Sequence, residues 1–122
     1  MSFSVDILEF AKATGKNIDE VSRNIKLNLF KGVIKDTHVI SGRLKGNWQT
    51  STGSPKTGTI ARLDKTGSLA IAEAERVVKG DTKDYMVNNL RYAQVREEND
   101  GMVATNMARI ERNIKEAVSS VS

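Results

Sequence analysis

A chain of 122 residues without cysteine has room for one domain and excludes disulfides, thiolate nucleophiles and thiolate metal sites. A single histidine excludes a His-rich metal site, no EF-hand pattern of alternating acids occurs, and no apolar run nears the ~18 residues of a membrane span. The formal net charge of +4 is lopsided: residues 1–60 hold nine Lys/Arg against five Asp/Glu, whereas residues 61–122 hold ten of each. Mild basicity of this kind fits a solvated surface, an acidic partner or nearby nucleic acid.

The opening MSFSVDILEF has no basic region before an apolar stretch, so no signal peptide is expected and synthesis in the cytoplasm is the expectation. Ser4 can cap a short helix through about Thr14, a separate arm ahead of the rest, with Gly15 as its stop. Asn17-Ile18-Asp19-Glu20 reads as a capping box, in which Asn17 accepts a first-turn N–H and Glu20 reaches back. In the long helix that follows, Ile18, Val21, Ile25 and Leu29 share one face. Leu27, Phe30, Val33 and Ile34 widen the apolar surface beyond a surface helix's stripe, so cover on two sides is expected, from the sheet and from a neighbouring subunit. Lys26, Lys31 and Lys35 line the remainder, and Gly32 weakens the helix by up to ~1 kcal/mol while permitting close packing.

After Thr37 the helical period ends, at β-branched Val39-Ile40 and the breaks Gly42 and Gly46. Asn47–Ser51 reads as a strand with Trp48 and Thr50 on one side. TGSPKTG (52–58) is a polar loop, and Thr59–Leu63 reads as a second strand antiparallel to the first across it. A turn at Asp64–Gly67 leads to a helix from a Ser68 cap to about Lys79, with Ile71, Ala74 and Val78 inward and Glu73, Glu75 and Arg76 outward. Asp84–Asn88 is a short strand with Tyr85 and Val87 on one face and Met86 on the other. Leu90–Val95 is irregular or briefly helical, and Asn99-Asp100-Gly101 is a turn. The last helix, Met102 to about Val118, carries the stripe Val103, Met107, Ile110, Ile114 and Ala117/Val118, with a Glu111–Lys115 pair on the other side. The sum is a single α+β domain over 1–122: a small, mostly antiparallel sheet packed by a long N-terminal helix, a middle helix and a C-terminal helix.

Catalytic constellations are not found. Gly53 to Gly58 spaces two glycines like a P-loop, but Thr59-Ile60 stands where the Lys-Ser/Thr must follow. His38 has Asp36 and Ser41 nearby in sequence, which is not how a triad is assembled. Glu73 with Glu75, and Glu97 with Glu98, read as solvated charge rather than as paired acids in a cleft. No enzyme activity, metal or cofactor is expected.

Two stretches carry a resemblance. The first is Ser41-Gly42-Arg43-Leu44-Lys45-Gly46-Asn47-Trp48, after a long helix. The second is Asn88-Asn89-Leu90-Arg91-Tyr92-Ala93, led in by Tyr85 and followed by Gly101-Met102-Val103 at the last helix. Their order and spacing resemble the tail-completion or neck (head–tail joining) proteins of tailed bacteriophages, the minor tail protein Z-like family. Two departures stand out: Val39-Ile40 replaces the family's proline and acid, and Arg96-Glu97-Glu98-Asn99 lacks its glycine. The resemblance implies a virion structural protein, made in the bacterial cytoplasm, that forms a ring of six copies at the head–tail junction or tail end. Its implied partners are further copies of itself, the connector or stopper, tail-tube or tape-measure proteins, and duplex DNA passing through the lumen without sequence readout; no membrane is involved.

On that reading Gly42 turns the chain out of the helix, and Arg43 fixes the turn or a neighbour's acceptors. Leu44 and Ala93 complete the two motifs, Trp48 anchors the sheet, Asn88 and Asn89 bond backbone at a strand end, and Tyr92 buries its ring. Ser54, Pro55 and Lys56 in the first loop, and Glu97, Glu98 and Asn99 in the segment 96–101, are the expected partner contacts. Compact scaling gives a sphere ~35 Å across, and six in a closed ring leave a hole of about the same width, enough for a duplex. The rival expectation is a small basic nucleic-acid-binding or regulatory protein using the Lys-rich helix.

Overall fold

The computed structural model describes residues 17–119, with side chains through Glu116; the helix expected at 4–14 lies outside them. Five helices and two strands follow in the order α1 (Ile18–Asp36), α2 (Arg43–Gly46), β1 (Gln49–Thr52), α3 (Ser68–Val77), β2 (Asp84–Val87), α4 (Arg91–Asp100) and α5 (Met102–Ser119). This is an α+β fold in which a small antiparallel sheet accompanies a helical core.

Helix α1 starts where its cap predicts: the Asn17 side chain accepts the Glu20 N–H at 2.8 Å, satisfying one of the donors a helix leaves open at its first turn. Its broad apolar surface is covered on two sides, by α3 and by α5. The sheet reaches α1 as well, through Met86 and the Lys26–Asp84 pair. Val21, Val33 and Ile34 are all but fully buried, while Ile18, placed inward by periodicity, is 48% exposed in the first turn. Each such buried aliphatic contributes roughly 1.5–3 kcal/mol.

Gly32 is the point of closest approach to α5, for a Cβ there would collide with the amide oxygen of Asn106. Asn106 is buried, and its Nδ2 donates to Asp36 Oδ2 at 2.9 Å and to the Met102 carbonyl at 2.7 Å. The inner stripe of α5 is therefore Met102, Asn106, Ile110 and Ile114, with Val103 and Met107 only half-buried. Ile110 and Ile114 are as expected; an apolar-only count missed Asn106 and put Val103 and Met107 where Met102 and Asn106 stand. Glu111 and Lys115 are exposed and are not among the ion pairs found in the described residues.

Trp48 joins the layers. Its ring packs with Val33, Ile34, Ala70 and Met102, and its Nε1 donates to Thr37 Oγ1 at 2.8 Å, which in turn lies 2.7 Å from the Val33 carbonyl. The anchoring role expected of this residue is the one it has.

The sheet corrects the expected hairpin. β1 pairs with β2, Gln49 opposite Val87 through Thr52 opposite Asp84, and residues 59–63 form no strand. The side of β1 that would have received them is occupied by side chains. The Thr50 N–H donates to Glu73 Oε1 at 2.9 Å, and Arg62 reaches the carbonyls of Gly46 and Trp48 at 2.8 and 2.7 Å. Asn47 holds Ile60 by both backbone groups, Oδ1 accepting its N–H at 2.9 Å and Nδ2 donating to its carbonyl at 3.0 Å. Side chains thus replace the ladder of a third strand.

Two helix ends also differ from expectation. Ser68 is the first residue of α3, not its cap; Asp64 accepts from Gly67 and Ala70 N–H at 3.1 and 2.9 Å and closes the turn before it. Asn99 and Asp100 belong to α4, which continues to Gly101, where a φ of 62° ends it. The Arg96–Asp100 pair one turn apart supports that last turn.

Candidate functional site

The two motif stretches, more than forty residues apart in sequence, meet in space. The long helix ends at Thr37, so Gly42 does not turn the chain out of it as expected; with φ 87° it leads into α2, and a Cβ there would come within 2.7–2.9 Å of the Asp64–Lys65 backbone, so only glycine fits. The short helix α2 follows at once and presents its last carbonyls to the second motif. Asn88 Nδ2 donates to the Leu44 carbonyl at 2.8 Å, and its Oδ1 accepts the Leu90 N–H at 3.3 Å, turning the chain into α4. Asn89 Nδ2 bridges the Lys56 and Gly58 carbonyls at 3.0 and 2.9 Å, which ties the polar loop to the same junction. Both asparagines bond backbone at the end of β2.

Between the motifs lies a groove of about 620 Å³, walled by His38, Ile40 and Arg43 on one side and Leu90, Arg91 and Tyr92 on the other. Leu44 lines it and is buried; Ala93 is also buried but is not part of its lining. Ile40 is 74% exposed and Tyr92 43%. Tyr92 does not bury its ring as expected; the Arg96 guanidinium lies 5.8 Å from its centroid instead. The Arg43 guanidinium meets no acceptor among the described residues and is exposed at the groove rim. Among the described residues no carboxylate lines the groove. Its character is apolar at the walls and cationic at the rim, which suits an apolar segment carrying acid.

Of the two expected contact segments, the first is exposed and the second is partly engaged within the chain. Ser54, Pro55 and Lys56 are exposed. In the second, Glu97 is not free: its carboxylate caps α5, accepting the Val103 and Ala104 N–H at 2.8 and 3.1 Å. Glu98 and Asn99 remain exposed, on a helix rather than a loop.

The lysines of α1 are also largely engaged. Lys26 Nζ donates to the carbonyls of Lys79 and Thr82 and to Asp84. Lys31 pairs with Glu75 at 2.8 Å. Burial would push the Asp84 carboxyl up, but hydrogen bonds from Thr52, Lys26 and Thr82 with the Lys26 charge outweigh it and hold the group below the usual carboxylate range. The Lys31 hydrogen bond and charge do the same to Glu75. Glu73 is not the solvated charge expected of it: besides accepting from Thr50 it pairs with Arg62 at 3.3 Å, both side chains about four-fifths buried.

Among the described residues no group of three His, Asp or Glu is placed to hold a metal ion, and no helix is long and apolar enough to cross a membrane. Comparison with known proteins finds no matching family model, no matching curated protein and no matching solved structure.

Proposed function

We propose that this chain is a structural protein of a tailed-phage virion that assembles as a ring at the head–tail junction or tail end. The observation that carries the reading is the convergence of the two motif stretches. They were singled out for resemblance alone, yet they bond to each other through Asn88 and Leu44 and wall one exposed groove. The exposed apolar walls and cationic rim of the groove support reading it as a docking surface. Its partners are other copies of the chain and the proteins of the neck and tail, with duplex DNA in the lumen.

The rival reading, a nucleic-acid binder using the Lys-rich helix, loses support from the engagement of Lys26 and Lys31 within the chain. Phosphate contacts need free cations, and each one spent on an internal carbonyl or carboxylate lowers the salt-dependent affinity.

The test is the mass of the purified protein alone and after mixing with isolated tails or filled capsids, with the particles then imaged. A closed ring, or added density at the head–tail junction, is the expected outcome. Replacing Ile40 with Glu and Tyr92 with Ala together abolishes that assembly while the monomer keeps its melting temperature. A chain that stays monomeric, ignores both particles and binds free DNA with a steep salt dependence overturns the proposal.

A further inference from the structure

Among the described residues two backbone edges have no partner. The first is the outer edge of β2. The Gly53 N–H donates to the Lys83 carbonyl at 2.9 Å and the Thr50 N–H turns away to Glu73. With the observed register, alternation then points Gln49 and Ser51 at β2, and Tyr85 and Val87 at β1. Asp84 and Met86 point their N–H and C=O to the opposite side, where no described residue meets them.

The second edge is the segment 59–63. Its anchors fall on alternate residues: Ile60 to Asn47 by both groups, the Arg62 carbonyl over Gly46, and the Asp64 N–H to the Gly42 carbonyl at 3.0 Å. A period of two is that of an extended chain. The intervening Thr59, Ala61 and Leu63 are exposed and their backbone groups have no partner among the described residues. The sequence Thr-Ile-Ala-Arg-Leu has strand character, yet inside one chain it has no sheet to join.

We infer that residues 59–63 of one copy add as a strand to the outer edge of β2 (Asp84–Val87) in a second copy. Unpaired edges are templates for this kind of addition. The edge on each copy is used by a different edge on the next, so the contact is head-to-tail, the type that closes into rings. Apolar surface agrees: Leu63 is 63% exposed within the segment, with Ile40 and Leu69 exposed close in sequence to the Gly42–Asp64 and Gly67 junctions that hold it.

A four-residue strand pair is far smaller than the ~1,200 Å² of a stable interface. One such contact is weak, and repetition around a closed assembly is what makes it persist. The inference deepens the ring reading and rests on it only for that closure.

The test uses the full chain and reads two things: assembly by mass, alone and on tails or capsids, and amide hydrogen exchange at Ala61, Leu63, Asp84 and Met86. In the monomer all four amides exchange fast; in the assembly all four are protected. Ala61→Pro removes an outward N–H that bonds nothing in the monomer. It weakens assembly at least tenfold at unchanged melting temperature, while Ala61→Ser assembles like the parent. If the parent assembles but Ala61→Pro does so equally well and the four amides still exchange fast, the strand addition is wrong and the ring stands. If Asp84 and Met86 are already protected in the monomer, their edge is covered within the chain and the inference falls. A parent that never assembles overturns both.

Discussion

Replacing Asn47 with Ala removes a side chain that is fully buried and makes three hydrogen bonds: to the Arg43 carbonyl at 2.8 Å, and to the Ile60 carbonyl and N–H at 3.0 and 2.9 Å. Each such bond is worth ~1 kcal/mol net, and the Ile60 groups left behind lie partly out of water, which adds to the cost of unpairing them. The expected loss is about 3 kcal/mol. For a domain of this size that lowers the melting temperature by roughly 12 °C. The assay is urea unfolding followed by the fluorescence of Trp48, with the slope compared between variants. Asn47→Asp is expected to do no better than Ala, because it keeps the acceptor for Ile60 but loses both donated bonds and buries a charge. A loss below ~1 kcal/mol for Asn47→Ala would refute the view that this side chain stands in for a strand ladder.

Four other expectations can be checked with the same protein. Gly42 and Gly53 share a positive φ, 87° and 88°, but only Gly42 has backbone within 3 Å of a would-be Cβ. Ala at Gly53 should therefore cost about 1–2 kcal/mol and Ala at Gly42 clearly more; equal urea midpoints would contradict the packing argument. Glu97→Ala should lose ~1 kcal/mol as the cap of α5 disappears, with faster amide exchange at Val103 and Ala104 as the signature. Asp84 carries a lowered pKa, so its stabilisation is present above the unfolded value of ~3.9 and is lost as pH falls through the folded one. Urea midpoints between pH 5 and pH 2.5 should fall for the parent and fall less for Asp84→Asn; parallel curves would sink the assignment. Lys26→Met should cost about 2 kcal/mol through the carbonyls of Lys79 and Thr82 and the unpaired Asp84, measured as the shift in urea midpoint.

Much of the helical frame was legible because it rests on period and caps. Asn17, the α1 apolar surface and the start of α5 at Met102 all follow from residue types at fixed offsets. The sheet was misread for a physical reason. Thr59–Leu63 has the local preference for a strand, but preference cannot see that Glu73 would take the Thr50 N–H of β1 and that Asn47 would hold Ile60 by its backbone. The core stripe of α5 was right at Ile110 and Ile114 and off by one in its first two turns because Asn106 is polar; its burial rests on Asp36, the Met102 carbonyl and the space above Gly32. The groove was half legible: both motif stretches were marked in advance, but their meeting depends on Asn88 bonding Leu44, a contact over forty-four residues that no local pattern encodes.

The thin anchoring of α4 has a thermodynamic consequence. Ala93 is the one buried side chain among its ten residues, and the carboxylate of Glu97 is its chief polar tie to α5. A segment held this lightly opens as its own cooperative unit, at a free-energy cost well below that of unfolding the whole domain. Since Tyr92 and Arg91 ride on that segment, the width of the groove is set by a local equilibrium rather than by the rigid core. An occupant that fits only the closed arrangement would bind by drawing down that equilibrium, and its apparent affinity would shift with every change made at Glu97.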